Sequence, residues 1–500
     1  MNLMIGRQFI YLMVVVLIAI TGCSEGEPVL PEKKGFYATR GLAPAIYDNQ
    51  HRFALLRGVN YSVLGDYYQA IDSIPSETNY DPIHIEEMAK IGFNVIRLVL
   101  SWSELEPEQG VYNEEYINQI KTIVDNAAAH DIDVVLDMHQ DAWGKYIASP
   151  EDVVCPDLLS PAQGWDGAPE WATLTDGEST CKLGGLRELS PAAIRAWQNF
   201  YTNKQGIRTS FIDCWKFLIS NFAANTNIVG YDIINEPWFG DQIGSGHELL
   251  GDLYGDVINA IRDVEASTPG GFEHIIFFEP TAEWSAFTWT FGNNKDFTDD
   301  ENIVFAPHIY GGSITAVGNI QDGFRNAEII SKYYETTFWS GEWGFFGNPD
   351  IQRPDVLKYA QYEDDYLVGG AWWQWIQACG DPHNITADLE HLGSTTSHHL
   401  WSLDCPGDIF VGLLEAYTSI LSRAYPRATP GKLLKLESDV DGRVMKMEGE
   451  GIGEVDIWVP NRGNQPGVTG DISKTNIISK NGGFRVFGDV DGAFTIEITY

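Results

Sequence analysis

Residues 228–237 read Ile-Val-Gly-Tyr-Asp-Ile-Ile-Asn-Glu-Pro, a mostly apolar run that ends in an amide, a carboxylate and a proline. A run that is apolar at successive positions, and not only at alternate ones, is typical of a strand buried on both faces of a parallel sheet. Similar runs occur at 53–60, 94–100, 133–139, 274–280, 303–309, 337–344 and 368–375. With 228–235 they predict an α/β fold built on eight parallel strands.

The segments between these runs carry the signals of helices. Asp81 followed by Pro82 fits the N-cap and first turn of a helix, in which Ile85, Met88 and Ala89 recur at helical spacing. Eight units of a strand followed by a helix predict a (β/α)8 TIM barrel, which we place at residues 45–426.

The pattern changes from about residue 427. Short apolar segments at 433–436, 444–447, 455–459 and 495–498 are separated by turns rich in Gly, Asp and Asn. This composition is typical of β-strands joined by tight turns. We therefore expect residues 427–500 to form a small C-terminal all-β sandwich domain that packs on the barrel.

The N-terminus has the features of an export signal. Arg7 precedes an apolar run at 9–20, which is too short to cross a bilayer comfortably and fits the core of a signal peptide. Residues 20–23 read Ile-Thr-Gly-Cys, which resembles a bacterial lipoprotein processing site. We expect a signal peptide at 1–22, a lipid on Cys23 that anchors the exported protein to a membrane of the bacterial cell envelope, and a tether at 23–44. The alternative is an ordinary signal peptide and a secreted protein.

The charge of the chain argues against one class of partner. Acidic residues number 70 and basic residues 32, which gives a formal net charge of -38 at pH 7. Because so acidic a surface repels phosphate groups, we expect no nucleic acid partner. No metal-ligand spacing such as His-Glu-x-x-His occurs, so neither a metal nor another cofactor is expected. The sequence implies no protein partner.

The cysteines are compatible with export, which permits disulfides. With the cysteine of the processing site set aside, an odd number remains. Cys155 and Cys181 bracket one segment rich in Gly, Pro and Asp, and Cys379 and Cys405 bracket another, so these two pairings are the economical ones. Cys214 lies in a helix-like segment and would be a buried free thiol. The sequence alone leaves the connectivity open.

Polar and ionisable residues stand at the ends of the predicted strands, where a barrel of this type has its active site. Hydrolysis of an acetal needs one acid that protonates the leaving oxygen and one carboxylate that attacks the anomeric carbon. Glu236, after strand four, and Glu342, on strand seven, fit these two roles. A third carboxylate, Glu279 after strand five, is interpreted as structural. The other candidates are Arg97, His139, Asp141, Asn235, His308, Tyr310 and Trp375.

This set of residues resembles that of glycoside hydrolase family 5. The run Asn235-Glu236-Pro237 and Glu342 match its catalytic pair, and Arg97, His308 and Tyr310 fall where it keeps supporting residues. The resemblance is closer still to its endoglycoceramidase branch. It rests there on Asp-Met-His-Gln-Asp at 137–141, Trp-Trp-Gln-Trp at 372–375 and Cys-Gly-Asp-Pro-His at 379–383.

The resemblance implies a retaining glycosidase with Glu236 as acid/base and Glu342 as nucleophile. Asn235 would bond the 2-hydroxyl of the sugar, and two further residues, His139 and Asp141, would hold the glycone. Trp375 would stack beneath it. Residues 60–64 read Asn-Tyr-Ser-Val-Leu, without the lysine that glycan-cleaving members have near this point, so the sugar preference stays open.

The leading hypothesis is hydrolysis of the bond between a glycan, or a single sugar, and the ceramide of a glycosphingolipid. The substrate is then a glycolipid, or an oligosaccharide. The alternatives are a β-glycosidase for steryl glucosides or β-glucans, and an inactive glycan-binding lipoprotein of the cell surface. A ceramide needs an apolar groove beside the polar subsite. The candidates for its lining, which could instead pack the barrel rim, are Trp238, Phe239, Trp284, Phe345 and Phe346.

Overall fold

Strands and helices alternate through most of the chain in the computed structural model, which describes residues 32–184, 186–241, 243–289, 295–384 and 399–500. The strands are β1 (Tyr37–Ala38), β2 (Ile46–Tyr47), β3 (Arg52–Ala54), β4 (Arg57–Leu64), β5 (Val95–Ser101), β6 (Asp133–His139), β7 (Leu159–Pro161), β8 (Cys181–Leu183), β9 (Ile228–Asp232), β10 (Ile275–Phe278), β11 (Ile303–Phe305), β12 (Ser340–Trp343), β13 (Gly370–Trp372), β14 (Trp401–Asp404), β15 (Ile409–Leu413), β16 (Tyr425–Pro430), β17 (Lys432–Asp439), β18 (Val444–Val459), β19 (Gly467–Gly470), β20 (Ser473–Lys480) and β21 (Gly483–Thr499).

The α-helices are α1 (Pro82–Ile91), α2 (Trp102–Leu105), α3 (Glu114–Ala129), α4 (Pro191–Tyr201), α5 (Ile207–Phe222), α6 (Ile243–Ser267), α7 (Glu283–Phe287), α8 (Ile320–Tyr333), α9 (Pro349–Tyr366) and α10 (Glu415–Leu421). These elements all lie in one compact unit, Lys33–Tyr500. The predicted signal peptide and Cys23 fall outside the described residues. No helix within the described ranges is long and apolar enough to cross a membrane.

The barrel consists of β4, β5, β6, β9, β10, β11, β12 and β13, and its hydrogen-bonded neighbours are all parallel. Their order, β11-β10-β9-β6-β5-β4-β13-β12, follows the chain around a ring. A parallel bridge between Phe305 of β11 and Phe338, two residues before β12, closes the ring. The predicted TIM barrel is confirmed.

Helix α1 forms for the reasons that its sequence indicates. The side chain of Asp81 accepts a hydrogen bond from the backbone N–H of Ile83 at 3.0 Å, and Pro82 occupies the first turn. Met88 is among the residues that the helix buries against the core. Gly92 ends the helix with a φ of 98°, a left-handed conformation that glycine adopts without steric cost.

The predicted run 53–60 is divided between two sheets. Phe53 and Ala54 belong to β3, which pairs antiparallel with Thr429 and Ala428 of β16, whereas barrel strand β4 starts at Arg57. In the sequence the two strands form one apolar run because other parts of the structure pack on both of them, although different parts pack on each.

The antiparallel sheet of the C-terminal region is built on two long strands. β18 and β21 pair along the whole of β18, β16 and β17 flank different parts of β18, and β19 and β20 flank different parts of β21. Apolar side chains from both long strands, among them Met447, Ile457, Val486 and Ile496, share one core, as in a sandwich. The all-β C-terminal part is confirmed, and β1–β3 extend its sheet through β16.

Two disulfides stabilise loops at the C-terminal end of the barrel. Cys155 is bonded to Cys181 and Cys379 to Cys405, with S–S distances of 2.01 and 2.04 Å. Both predicted pairings are confirmed. Cys214 is a buried free thiol on α5, also as predicted.

Candidate active site

A cavity of about 670 Å³ lies at the C-terminal ends of the barrel strands. Its wall contains Glu236 and Glu342, together with the predicted site residues His139, Asp141, Asn235 and Tyr310. Because these residues come from segments at the ends of β6, β9, β11 and β12, the fold brings together groups that are far apart in sequence.

Arg97 is the centre of a buried network of charges on β5. Its Nε donates to Asp232 Oδ2 at 2.9 Å, its Nη1 to Glu342 Oε1 at 2.9 Å, and its Nη2 to Glu279 Oε1 at 2.7 Å. Asp137 Oδ1 lies 2.9 Å from Nη2. Burial alone would lower the pKa of Arg97, but these four carboxylates raise it well above its usual value. The guanidinium therefore stays charged and fixes the positions of its partners.

Glu342 is held at both of its carboxylate oxygens. Arg97 donates to Oε1, and the hydroxyl of Tyr310 donates to Oε2 at 2.8 Å. Burial raises the pKa of Glu342 above its usual value, against the opposing charges of His308 and Arg97. The carboxylate thus has a fixed orientation before any substrate is present.

Glu236 follows β9 and accepts three hydrogen bonds from side chains. His308 Nδ1 donates to Oε1 at 2.9 Å, the hydroxyl of Ser285 donates to the same oxygen, and Arg187 Nη2 donates to Oε2 at 2.9 Å. Burial would raise the pKa of Glu236, but His308 and Arg187 lower it to about 2. In the free protein this side chain is therefore an anion.

Glu279 holds the backbone next to this carboxylate. Glu236 has a φ of 36°, a left-handed conformation that costs a non-glycine residue on the order of 1 kcal/mol. Its backbone N–H donates to Glu279 Oε2 at 2.7 Å, and His308 Nε2 lies 3.2 Å from Glu279 Oε1. Glu279 also accepts from Arg97. The sequence interpretation of Glu279 as structural therefore understates its role, because it contacts three residues of the site.

His308 lies between the two predicted catalytic carboxylates. One oxygen of Glu236 and one of Glu342 lie within 4.8 Å of each other, and an imidazole nitrogen lies within that distance of both. His308 Nδ1 is 3.3 Å from Glu342 Oε2. Burial would lower the pKa of His308, but Glu279 and Glu342 raise it well above its usual value. The resulting imidazolium reduces the repulsion between two carboxylates that lie side by side.

Among the described residues, two clusters each bring together three atoms that could bind a metal ion. One is Glu236, His308 and Glu342, and the other is Asp137, Asp232 and Glu279, each with its ligand atoms within 4.8 Å of one another. Each cluster already has a cationic side chain at its carboxylates. His308 is a member of the first cluster, and the guanidinium of Arg97 forms ion pairs with all three carboxylates of the second. The carboxylates are therefore balanced by side chains of the protein.

His139 and Asp141 lie in the cavity wall, where the sequence predicts the glycone subsite. His139 Nδ1 bonds Asp137 Oδ2 at 2.8 Å, and its Nε2 has no hydrogen-bond partner in the described part of the chain. Burial would lower the pKa of His139, but Asp137 and Asp141 raise it to about 10. The ring therefore offers a charged N–H to a bound molecule.

Two residues that sequence reasoning did not select, Arg187 and His383, bind Asp141. Arg187 Nη2 lies 2.5 Å from Asp141 Oδ1, and His383 Nε2 lies 2.7 Å from Oδ2. Arg187 thereby bridges Asp141 and Glu236 across the cavity. Its guanidinium also lies over the ring of Trp165 at 4.8 Å. A signal for His383 was present in the motif at 379–383, whereas Arg187 lies in a loop without a recognisable pattern.

Trp375 does not reach the cavity, which corrects the sequence expectation. It is fully buried, and its ring packs near those of Trp401 and His84, with centroid distances of 6.0 and 6.4 Å. Trp373 lines the cavity instead and stacks on His139 at 5.2 Å. Because β13 ends at Trp372, the alternation of a strand no longer decides which way these side chains point.

Three apolar side chains of the cavity wall are open to solvent. They are Phe346, Ile314 and Leu186, which are 37%, 58% and 49% exposed. Of the five aromatic residues expected there, Phe346 reaches the cavity wall. Three others are buried in the core, Trp238, Trp284 and Phe345, and Phe239 stacks on the first of these at 4.2 Å. The apolar lining thus exists, but aliphatic side chains provide most of it.

Comparisons with known proteins agree with this geometry. The family model "Cellulase (glycosyl hydrolase family 5)" matches residues 76–378, more than half of the chain. The chain belongs to glycosyl hydrolase family 5. It is therefore an enzyme that hydrolyses glycosidic bonds, as the sequence predicted.

Relatives within this family carry names that refer to ceramide. The chain is 25% identical to an endoglycoceramidase of Cyanea nozakii (77% of this chain, 72% of that one) and 29% identical to one of Hydra vulgaris (73% and 68%). A crystal structure of endogalactoceramidase is 38% identical, with a TM-score of 0.86 over 92% of this chain and 99% of that chain. Endo-glycoceramidase II from Rhodococcus sp., at 20% identity and a TM-score of 0.66 over 91% and 99%, shares the fold.

Proposed function

We propose that this family 5 enzyme is a retaining glycosidase that releases a glycan, or a single sugar, from the ceramide of a glycosphingolipid. The observation that carries the proposal is the pair Glu236 and Glu342, with carboxylate oxygens within 4.8 Å of each other in one cavity. Retaining enzymes place two carboxyl groups about 5 Å apart, whereas inverting enzymes need more room for a water molecule.

Each step of the reaction has a group in position. In the complex with substrate Glu236 first takes up a proton from solvent. Glu342 then attacks the anomeric carbon while Glu236 gives this proton to the glycosidic oxygen, so the bond to the aglycone breaks and a glycosyl ester forms on Glu342. Glu236, now a carboxylate, removes a proton from water, which attacks the same carbon. The ester bond then breaks, the sugar leaves with its original anomeric configuration, and both carboxyl groups return to their starting states.

Arg97 and Tyr310 support Glu342 in these steps. Their hydrogen bonds hold one carboxylate oxygen each, so the nucleophile does not need to reorient. Asn235 is held in the same way, because Arg97 Nη2 donates to its Oδ1 at 3.0 Å. Its position in the cavity wall beside Glu236 suits the proposed contact with the 2-hydroxyl of the sugar.

The mixed lining of the cavity supports an amphipathic substrate. His139, Asp141 and Trp373 are polar and aromatic groups that suit a sugar ring. Phe346 and Ile314 are exposed apolar groups that suit a lipid. The names of the relatives, endoglycoceramidase and endogalactoceramidase, favour a ceramide glycoside over a steryl glucoside or a β-glucan.

A substrate screen tests this proposal. Purified enzyme is given glycosphingolipids with different sugars, a steryl glucoside and soluble β-glucans, each with detergent, and released ceramide and sugars are measured. We expect ceramide to be released intact from at least one glycosphingolipid. Cleavage of β-glucan or steryl glucoside without any release of ceramide would contradict the assignment, and an aryl β-glycoside shows whether the enzyme is active at all.

We also propose that the enzyme is exported and anchored to the cell envelope through a lipid on Cys23. The Ile-Thr-Gly-Cys sequence at 20–23 supports this, and the disulfides Cys155–Cys181 and Cys379–Cys405 are compatible with an oxidising compartment. Fractionation of cells tests it. The wild type should be in the detergent-soluble membrane fraction and Cys23→Ala should not, whereas freely soluble wild-type protein would exclude the anchor.

A further inference from the structure

Gln377 is buried in the cavity wall with no hydrogen bond to either end of its amide. Its side chain is 1% exposed, and neither Oε1 nor Nε2 has a partner within the described residues. A buried amide without a partner destabilises a folded protein by about 1–3 kcal/mol. Such a group in the wall of a ligand cavity points to a partner that arrives with the ligand.

Among the described residues of this cavity wall, a third unpartnered polar atom belongs to His139. Its Nε2 has no hydrogen-bond partner within the described ranges, with Asp141 Oδ2 3.8 Å away, while its Nδ1 is held by Asp137. Trp373 stacks on His139 and precedes Gln377 by four residues. The cavity therefore offers one imidazole donor, one amide donor and one amide acceptor beside an aromatic ring.

These groups have the chemistry of a sugar-binding site. A sugar presents hydroxyls that both donate and accept hydrogen bonds, and its C–H face packs on an aromatic ring. The amide of Gln377 can donate to one hydroxyl and accept from another. A site that offers hydrogen bonds to a hydroxyl discriminates strongly against an analogue without it, because the protein groups then stay unpaired.

We propose that Gln377 is a specificity-determining residue, whose amide recognises hydroxyl groups of the sugar on the non-reducing side of the bond that is cleaved. This inference rests on the proposed glycosidase function and adds a residue that neither the sequence motifs nor the catalytic geometry requires. It also explains why a buried amide of the cavity wall is unpaired in the free enzyme. The stability lost in the free enzyme is offset when the sugar binds.

The test combines enzyme variants with modified substrates. Aryl β-galactoside and β-glucoside are compared with their 3-, 4- and 6-deoxy derivatives, and kcat/KM is measured for wild type and for Gln377→Met. Wild type should prefer the parent sugar over at least one deoxy derivative by roughly 5- to 100-fold, and Gln377→Met should lose most of that preference. The unfolding temperature of the free variant should equal or exceed that of the wild type.

Gln374→Leu is the matched control. Gln374 lies three residues earlier and is also buried; its Oε1 accepts from the hydroxyl of Ser62, and its Nε2 has no hydrogen-bond partner among the described residues, but it does not line the cavity. Its discrimination between parent and deoxy sugars should stay at the wild-type value.

Two results would overturn the proposal. One is equal discrimination by wild type and Gln377→Met at every position tested. The other is a fall of several degrees in the unfolding temperature of both Gln377→Met and Gln377→Leu, which would show that the amide is needed by the fold. Wild type that cleaves no aryl glycoside would instead contradict the proposed function, and the unfolding temperatures would still report on the unpaired amide.

Discussion

Arg187 Nη2 donates a hydrogen bond to Glu236 Oε2 over 2.9 Å. Together with His308, whose hydrogen bond and charge contribute more, this contact lowers the pKa of Glu236 to about 2. The carboxylate is the form that Glu236 needs in the second step, when it accepts a proton from water. The first step needs the acid, so a bound substrate has to weaken the hold of these cations on Glu236.

Removal of Arg187 should shift the pH dependence of the enzyme. Arg187→Met removes a positive charge that favours the carboxylate, so the pKa of Glu236 in the free enzyme should rise. Because Glu236 must be protonated to donate to the leaving group, the basic limb of kcat/KM should move to higher pH. The measurement is a pH profile with an alkyl glycoside, whose poor leaving group makes protonation limiting.

Arg195→Met is the control for that profile. Arg195 is on α4 and lies 3.6 Å from Asp241, away from the carboxylates of the cavity. Its profile should match that of wild type. A basic limb that stays in place, or moves to lower pH, in Arg187→Met would show that Arg187 does not set the protonation of Glu236.

Replacement of Glu279 by glutamine should reduce turnover without unfolding the protein. Glutamine can still accept from the backbone N–H of Glu236, but it lacks the charge that holds Arg97 and His308. We expect kcat to fall roughly 10- to 100-fold with little change in KM, because misplaced catalytic groups affect the reaction more than binding. The pKa of His308, measured by NMR, should fall because a neighbouring negative charge is lost.

Glu265→Gln is the matched control for that variant. Glu265 is also buried and bonds a histidine and an arginine, with His274 Nδ1 at 2.8 Å and Arg262 Nη1 at 2.5 Å, but it lies at the opposite end of the barrel strands. It should lower stability and leave kcat unchanged. Equal effects of the two variants on kcat would mean that Glu279 is only one of several structural acids.

Trp373 and Trp375 should differ in their effect on substrate binding. Trp373→Ala removes a ring from the cavity wall, so KM for a glycoside should rise; because this ring is only 4% exposed, the variant should also lose stability. Trp375→Ala creates a cavity in the core and should cost about 3–5 kcal/mol of stability. Denaturant unfolding and steady-state kinetics on both variants check this. The reverse pattern would restore the stacking role that the sequence suggested for Trp375.

The neighbouring phenylalanines provide a test of the lipid side. Phe346 lines the cavity and is 37% exposed, whereas Phe345 is 2% exposed. Phe346→Ala should reduce kcat/KM for a ceramide glycoside severalfold and leave a soluble aryl glycoside almost unaffected, because a small aglycone does not reach the apolar side. Phe345→Ala should instead lower stability and affect both substrates alike. Equal losses on both substrates with Phe346→Ala would argue against a lipid contact there.

The sequence predicts the fold well because barrel strands are buried on both faces. Runs such as 133–139 and 228–235 are mostly apolar, with apolar residues at successive positions, and the residues that follow them are polar, so strand ends and site residues can be recognised together. Glu236 and Glu342 reach one cavity because the C-terminal ends of parallel strands share one end of the barrel. For the disulfides the sequence offers an economical pairing across two loops, and the structure has that pairing.

The site residues that the sequence did not predict lie where the side-chain periodicity of strands and helices gives no guidance. The family resemblance implies that Trp375 lies at the cavity, but β13 ends at Trp372 and the loop beyond it follows no alternation. Arg187 belongs to a long loop after β6, and its contact with Glu236 depends on where that loop packs. The role of Glu279 is visible only from its partners, because a carboxylate after a strand can be either catalytic or supporting.

Covalent trapping tests the central claim most directly. A glycosyl fluoride with fluorine at C2 of the sugar forms the glycosyl enzyme but slows its hydrolysis, so the modified residue can be found by mass spectrometry of peptides. We expect one sugar on the peptide that contains Glu342 in wild type and in Glu236→Gln, and none in Glu342→Gln. A label on Glu236 or Glu279, or hydrolysis with inverted anomeric configuration and no label, would contradict the assignment of Glu342 as the nucleophile of a retaining enzyme.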